Sequence, residues 1–275
     1  MELLSYTDCV KGTVIRRPSA TCKTPYVADV QLEDGTIVLA HTAALGCCGL
    51  ADKDAIVMMI HIDKPKNICK YKILFTEHKE REHIQYIGID PKMAETVVNE
   101  CLKKNQIPSL VGCKSIKREK TIMDSRFDFM GVDQNDKVYV LEVKNVPLAD
   151  YEDCYEKEKK KMDFSTRKYT SKISYFPDGY RKKVKDTVSP RALKHIQHLT
   201  RISKLEDARA IICYVIQRTD SCVFQASNID PIYKEAVHEA YKSGVEIIPL
   251  QIEWRLDTKT NSMHAYVYDI LKFNV

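Results

Sequence analysis

The Asp90-Pro91 dipeptide separates two stretches of chain that obey different periodicities. Before it, Val10–Arg17, Tyr26–Glu33, Thr36–His41, Ala55–Asp63, Lys70–Glu77 and Ile84–Ile89 are short runs rich in Val, Ile, Tyr and Thr. They are broken by turn signals such as Asp34-Gly35 and Lys64-Pro65-Lys66-Asn67, so this stretch predicts strands closing into a small barrel or sandwich. After it the pattern turns helical. Asp90 suits an N-cap and Pro91 a first helical turn, where its missing N–H costs nothing. Met93, Ala94, Val97, Val98, Cys101 and Leu102 then recur at helical spacing.

Beyond that helix, strands and helices alternate. Strands are predicted at about Ser125–Val132 and Lys137–Val146, joined across Asp133-Gln134-Asn135-Asp136, then at Ala208–Gln217, Val245–Trp254 and Met263–Leu271. Ser189-Pro190 and Asp230-Pro231 repeat the cap-plus-proline signature of a helix start, and Gly244 suits the left-handed position after a helix end. Such alternation predicts an α/β domain on a mixed sheet, with a domain over residues 1–89 and a second over 90–275.

At 275 residues, with 44% hydrophobic and 29% charged residues, the chain has the balance of an ordinary globular protein. No run of about 18 apolar residues is present, and Met1–Gly12 lacks the pattern of a secretory signal. The ten cysteines are scattered and no C-x-x-C occurs, which reads as reduced thiols rather than a disulfide framework. These features predict an intracellular protein, cytoplasmic or nuclear, with no membrane association. The net charge of +5 is uneven: Tyr151–Lys204 carries 15 Lys plus Arg against 7 Asp plus Glu. That local +8 is the footprint of phosphate contact or of a solvated helical face.

The chemistry is concentrated in Ser125-Arg126-Phe127-Asp128-Phe129 and Leu141-Glu142-Val143-Lys144. Residues two apart on a strand share a face, so Glu142 and Lys144 project beside Val138 and Val140. Charges on an apolar face are costly unless paired or bound to something. If Asp128 joined them, two carboxylates would offer hard oxygen ligands for Mg²⁺ or Mn²⁺, and the lysine could stabilise charge on a phosphate. A symmetric loop of two or four residues would instead place Asp128 opposite Leu141 and turn it away from Glu142. Convergence therefore requires an odd loop or a bulge. Glu100, at the edge of the first helix's apolar face, is a candidate fourth member.

Ser125-Arg126-x-Asp128-Phe129, Glu142-Val143-Lys144-Asn145-Val146 and Tyr175-Phe176-Pro177-Asp178 together resemble the sugar fermentation stimulation protein A (SfsA) family. So do Arg191-Ala192-Leu193-Lys194-His195-Ile196, the strand ending Gln217-Arg218, Ile229-Asp230-Pro231, and Tyr26-Val27-Ala28-Asp29-Val30 with Ala40-His41. These segments are collinear over most of residues 10–252. The resemblance implies an N-terminal OB-like β-barrel and a PD-(D/E)xK restriction-endonuclease-like α/β domain with a mixed central sheet. It also implies DNA binding, with Asp128, Glu142 and Lys144 matching the nuclease signature and Glu100 the acidic residue of the helix. Thr42–Cys48 departs from the Cys-Pro-Asn-Thr-Gly-x-Met that usually follows Ala-His in the family.

Two stretches, Lys157–Lys172 and Arg181–Val188, are insertions relative to that pattern, and both are basic. Lys160, Lys161, Arg167, Lys168, Arg181 and Lys182 are therefore candidate contacts for DNA or RNA, with Arg126 beside the acidic pair. Arg191, Lys194, His195, His198 and Arg201 fall on one side of their helix and predict either a cationic stripe, with Arg191, Lys194 and His195 holding a nucleic-acid phosphate, or a solvated face. The opposite stripe, Leu193, Ile196 and Leu199, is apolar. Tyr169, Tyr175, Phe176 and Tyr180 suit either base stacking or local packing, packing being the commoner use. The function predicted is a DNA-binding protein with a metal-dependent, nuclease-like site that hydrolyses phosphodiester bonds. The alternative is a non-catalytic DNA-binding or regulatory protein on the same fold. No Gly-rich phosphate loop or nucleotide fingerprint supports a small-molecule enzyme.

Overall fold

The computed structural model describes residues 1–42, 49–63, 67–177 and 187–275. The first seven strands are β1 (Glu2–Tyr6), β2 (Val10–Arg16), β3 (Val27–Leu32), β4 (Ile37–His41), β5 (Ile56–His61), β6 (Tyr71–Glu80) and β7 (His83–Gly88). Helix α1 (Pro91–Lys103) follows, then β8 (Ser115–Ile122), β9 (Ser125–Val132), β10 (Val138–Val146), β11 (Ala149–Asp150), α2 (Glu156–Lys159) and β12 (Lys172–Phe176). The remainder is α3 (Pro190–Ile202), β13 (Ala208–Ile216), β14 (Ser221–Ala226), α4 (Pro231–Lys242), β15 (Glu246–Asp257), β16 (Ser262–Ile270) and β17 (Lys272–Phe273). None of the helices among the described residues is long and apolar enough to cross a membrane.

Contacts divide the chain into two compact units. The first comprises Met1–Val97, Gln217–Thr219 and Ile252–Tyr268. Its sheet runs β4-β3-β2-β5-β6-β7, and β4 also pairs in parallel with β6 through Ala40↔Tyr71 and His41↔Lys72, so the strands from β4 to β6 return on themselves. Val14, Val30, Ala40, Val57, Met59, Ile73 and Ile87 fill the interior, the alternate residues expected of strands with one buried face. The C-terminal hairpin enters this unit too. Strand β1 pairs with β16, and Trp254 packs its ring 4.6 Å from Phe75 while its indole N–H donates to Gln217 Oε1 at 2.7 Å.

The second unit comprises Val98–Ile216, Asp220–Gln251 and Asp269–Val275. Here β15, β13, β10, β9 and β8 lie side by side, with β15, β13 and β10 mutually parallel and β10, β9 and β8 antiparallel. A small second sheet runs β11-β12-β14-β17. Helices α3 and α4 begin at the cap-plus-proline pairs read from sequence: Ser189 Oγ accepts from Ala192 N at 3.3 Å, and an Asp230 oxygen accepts from Tyr233 N at 3.2 Å. Gly244 follows α4 with φ of 91°. Phe127, Val140, Ile196, Leu199, Ile212, Tyr214 and Tyr233 share one core.

Strands β8, β12 and β14 carry no clear sequence signal. β8 reads Ser-Ile-Lys-Arg-Glu-Lys-Thr-Ile because it is an edge strand whose middle is exposed, so no buried face imposes alternation.

Candidate active site

The loop between β9 and β10 is decisive for the acidic residues. Val132 pairs with Val138 and Phe129 with Leu141, so the loop is Asp133–Lys137, five residues and odd. Asp133 imposes it: its Oδ1 accepts from Asn135 N at 2.8 Å and Lys137 N at 3.0 Å, and its N–H donates to Lys137 O at 2.9 Å. Arg209 anchors the same carboxylate at 2.7 Å. Gly131 lets the paired Tyr139 ring cross β9, since a Cβ there would lie 1.9 Å from Ser115 O and 2.6 Å from the Tyr139 hydroxyl.

This register carries Asp128 to the position opposite Glu142, where the ladder pairing stops. Asp128 Oδ2 instead accepts from the backbone N–H of Val143, between Glu142 and Lys144, at 2.7 Å. On the other side of β9, pairing with β8 skips the Glu119–Asp128 position, and Glu119 adopts φ of 53°. The strand therefore bends at the acidic residue, and its carboxylate is turned toward β10.

Glu142 is 2% exposed. Its Oε1 receives both the Lys144 ammonium and His195 Nδ1. Its Oε2 is buried and has no hydrogen-bond partner among the described residues. Burial by itself would raise the carboxyl pKa, but the charge on Lys144 and the bond from His195 outweigh it and hold the group below its usual 4.5. Glu142 is therefore ionised near neutrality and can only accept, so His195 Nδ1 carries the proton.

His195 departs from the cationic stripe drawn from sequence. It is 3% exposed, and its ring lies 5.6 Å from that of Phe127. The reason is helical phase: position 195 lies three residues after Ala192 and four before Leu199, both buried. That spacing is the sequence signal of a buried position, masked by the polar character of histidine. His198 is also buried, and burial pushes its imidazole pKa down despite Asp124.

The remaining candidates are dispersed. Glu100 bonds Lys103 at 2.8 Å and Asn99 at 3.0 Å, partners on its own helix, and is not among the groups that set the state of Glu142. Lys194 is held by Asp124 at 2.6 Å and Arg126 lies 3.7 Å from Glu119, whereas Arg191 is exposed. Lys160, Lys161, Arg167 and Lys168 are exposed, with Arg167 bound to Glu152. Arg181, Lys182, Asp178 and Tyr180 lie outside the described residues, as do residues 43–48 of the departing loop. Tyr169, Tyr175 and Phe176 are engaged in packing: Tyr169 lies under Lys172, Tyr175 is buried, and Phe176 meets Tyr214 and Tyr233.

The "Sugar fermentation stimulation protein RE domain" family matches residues 92–156 and 158–258 of this chain. The chain belongs to the SfsA family. A sugar fermentation stimulation protein homolog from Jannaschia sp. is 32% identical over 227 residues, covering 81% of each chain. The homolog from Ruegeria pomeroyi is 31% identical, covering 87% of this chain and 90% of its own. Among solved structures, SfsA of Pyrococcus furiosus in complex with Ca²⁺ matches with a TM-score of 0.76 over 100% of both chains at 20% identity. The mixed α/β architecture is thus that of an SfsA protein.

Proposed function

We propose that this SfsA protein binds nucleic acid and hydrolyses phosphodiester bonds with a divalent cation held by Asp128 and Glu142. The carrying observation is the half-engaged buried carboxylate: Glu142 Oε1 is taken by Lys144 and His195, while Oε2 is buried without a partner among the described residues. An ionised oxygen left so is costly unless a cation meets it, so the arrangement fits a metal ligand. The donor set, two carboxylates, fits a hard cation such as Mg²⁺ or Mn²⁺. The Ca²⁺ in the Pyrococcus furiosus SfsA structure agrees with that chemistry.

When bound, the cation supplies Lewis acidity at a phosphate oxygen and a water of lowered pKa. The chain's own groups do the rest. Asp128, tied to the N–H of Val143, keeps β9 and β10 together at the point where their ladder ends. Lys144, mostly buried, puts a fixed positive charge beside Glu142, where it stabilises negative charge gathering on a phosphate. The exposed Lys160, Lys161, Arg167 and Lys168 supply phosphate contacts away from the reacting bond. The return of β4 onto β6 supports an OB-like reading of residues 1–89, and the mixed sheet a nuclease-like one of 90–275.

Cleavage of single- and double-stranded DNA and RNA with Mg²⁺ or Mn²⁺, wild type against Glu142→Ala, tests this. The expected loss is on the order of 100-fold or more. Equal cleavage by both proteins would remove the site from the reaction. Tight binding with no cleavage under any condition would leave the non-catalytic DNA-binding reading.

A further inference from the structure

We infer that His195 is a positioning residue: by fixing Oε1 of Glu142 through its Nδ1–H, it presents Oε2 to the cation. This rests on the reading of Glu142 as a metal ligand, and it assigns a role to α3, an element outside the β9–β10 hairpin that carries the ligands.

A glutamate on a strand has three side-chain torsions, and one bond from Lys144 would leave its carboxylate able to turn about the end of a mobile stem. Lys144 is on the same strand two residues away and moves with it. His195 comes from α3 and contributes a second, independent direction. Its own ring is fixed by burial and by Phe127 at 5.6 Å. Both cationic or donor groups meet one oxygen, Oε1, and neither meets the other. A histidine present only to neutralise buried charge would be better placed on the bare oxygen. Instead the two bonds define the carboxylate plane and leave a specific oxygen open, which is how outer-shell donors orient a ligand. The N-cap of α3 at Ser189 and the core contacts of Ile196 and Leu199 hold the helix in the register that aims His195.

The test compares Mn²⁺ binding to the full chain, by calorimetry and by electron paramagnetic resonance of the ion, across five proteins. Asparagine places an amide N–H near the Nδ1 position and glutamine places one near Nε2. His195→Asn is therefore expected to keep Mn²⁺ affinity within about 3-fold of wild type, and His195→Gln to lose about 10-fold or more. His195→Phe, which keeps the ring on Phe127, is expected to lose as much as His195→Gln. Circular dichroism and thermal melting check that each variant is folded. Asn and Gln variants that bind Mn²⁺ equally would overturn the inference, because a merely structural histidine would not distinguish the two amide positions. If the Phe variant does not fold, the Asn–Gln pair still decides. Glu142→Gln separates the layers. If wild type binds no Mn²⁺, or Glu142→Gln binds it as well as wild type, the metal-site reading itself fails. If Glu142→Gln abolishes binding and the His195 variants do not change it, only the role of His195 fails.

Discussion

Lys172 and Lys144 each hold a buried carboxylate in the same unit, yet their surroundings differ. Lys172 meets Asp220 at 2.6 Å, with side chains 4% and 0% exposed. Its ammonium lies 5.3 Å from the Tyr151 ring centroid and 4.9 Å from that of Tyr169, and its backbone N–H donates to Asp220 O at 3.2 Å. Ammonium and backbone N–H are both engaged, and the pair ties the start of β12 to the start of β14. Lys144 and Glu142 are as close, but one carboxylate oxygen has no partner among the described residues. Residue types and burial are similar; completeness is not. A closed pair is a structural tie, whereas an open one keeps a charge in reserve for a ligand.

Substitution should separate the two pairs. Asp220→Ala is expected to cost ~3–5 kcal/mol in chemical denaturation, because it strands Lys172 in the interior. Glu142→Gln is expected to show a smaller stability loss, with Mn²⁺ binding at this site abolished. A stability loss at Glu142 as large as that at Asp220 would erase the contrast.

The acid limb gives a smaller effect. Glu142 has a folded pKa held below 4.5, so its ionised form contributes stability above 4.5 that is lost as pH falls through the lowered value. Each unit of depression is worth about 1.4 kcal/mol. The stability difference between wild type and Glu142→Gln should therefore stay level from neutrality to about pH 5 and shrink below 4.5. A difference that grew on acidification would mean that burial, not Lys144 and His195, governs the group. The smallest effect belongs to the exposed cations. Arg167→Gln with Lys168→Gln should flatten the slope of log binding constant against log salt by no more than ~2, with no change in Mn²⁺ affinity. An unchanged slope would take those two residues off the nucleic-acid path.

Local rules made much of the chain legible. Asp90-Pro91, Ser189-Pro190 and Asp230-Pro231 announced helices that begin at Pro91, Pro190 and Pro231. Alternating Val, Ile and Tyr announced β2 to β7, and Glu142 and Lys144 were separable from their apolar neighbours by parity on one strand. These features depend on residues within a few positions of one another, where capping bonds and strand alternation act.

What the sequence left open hangs on one residue of loop length. A four-residue Asp133–Asp136 loop would turn Asp128 away from Glu142; the five-residue loop ending at Lys137 turns it toward β10, because Asp133 captures two backbone N–H groups and Arg209, 76 residues away, captures Asp133. His195 meets Glu142 across 53 residues, and Trp254 reaches Phe75 from the far end of the chain. Sequence by itself determined which segments are strands and helices and which residues carry charge, since those follow from local propensity and spacing. Only the tertiary structure decided which carboxylate oxygen is closed and which is open, because that depends on partners brought in by distant chain and on the exclusion of water around them.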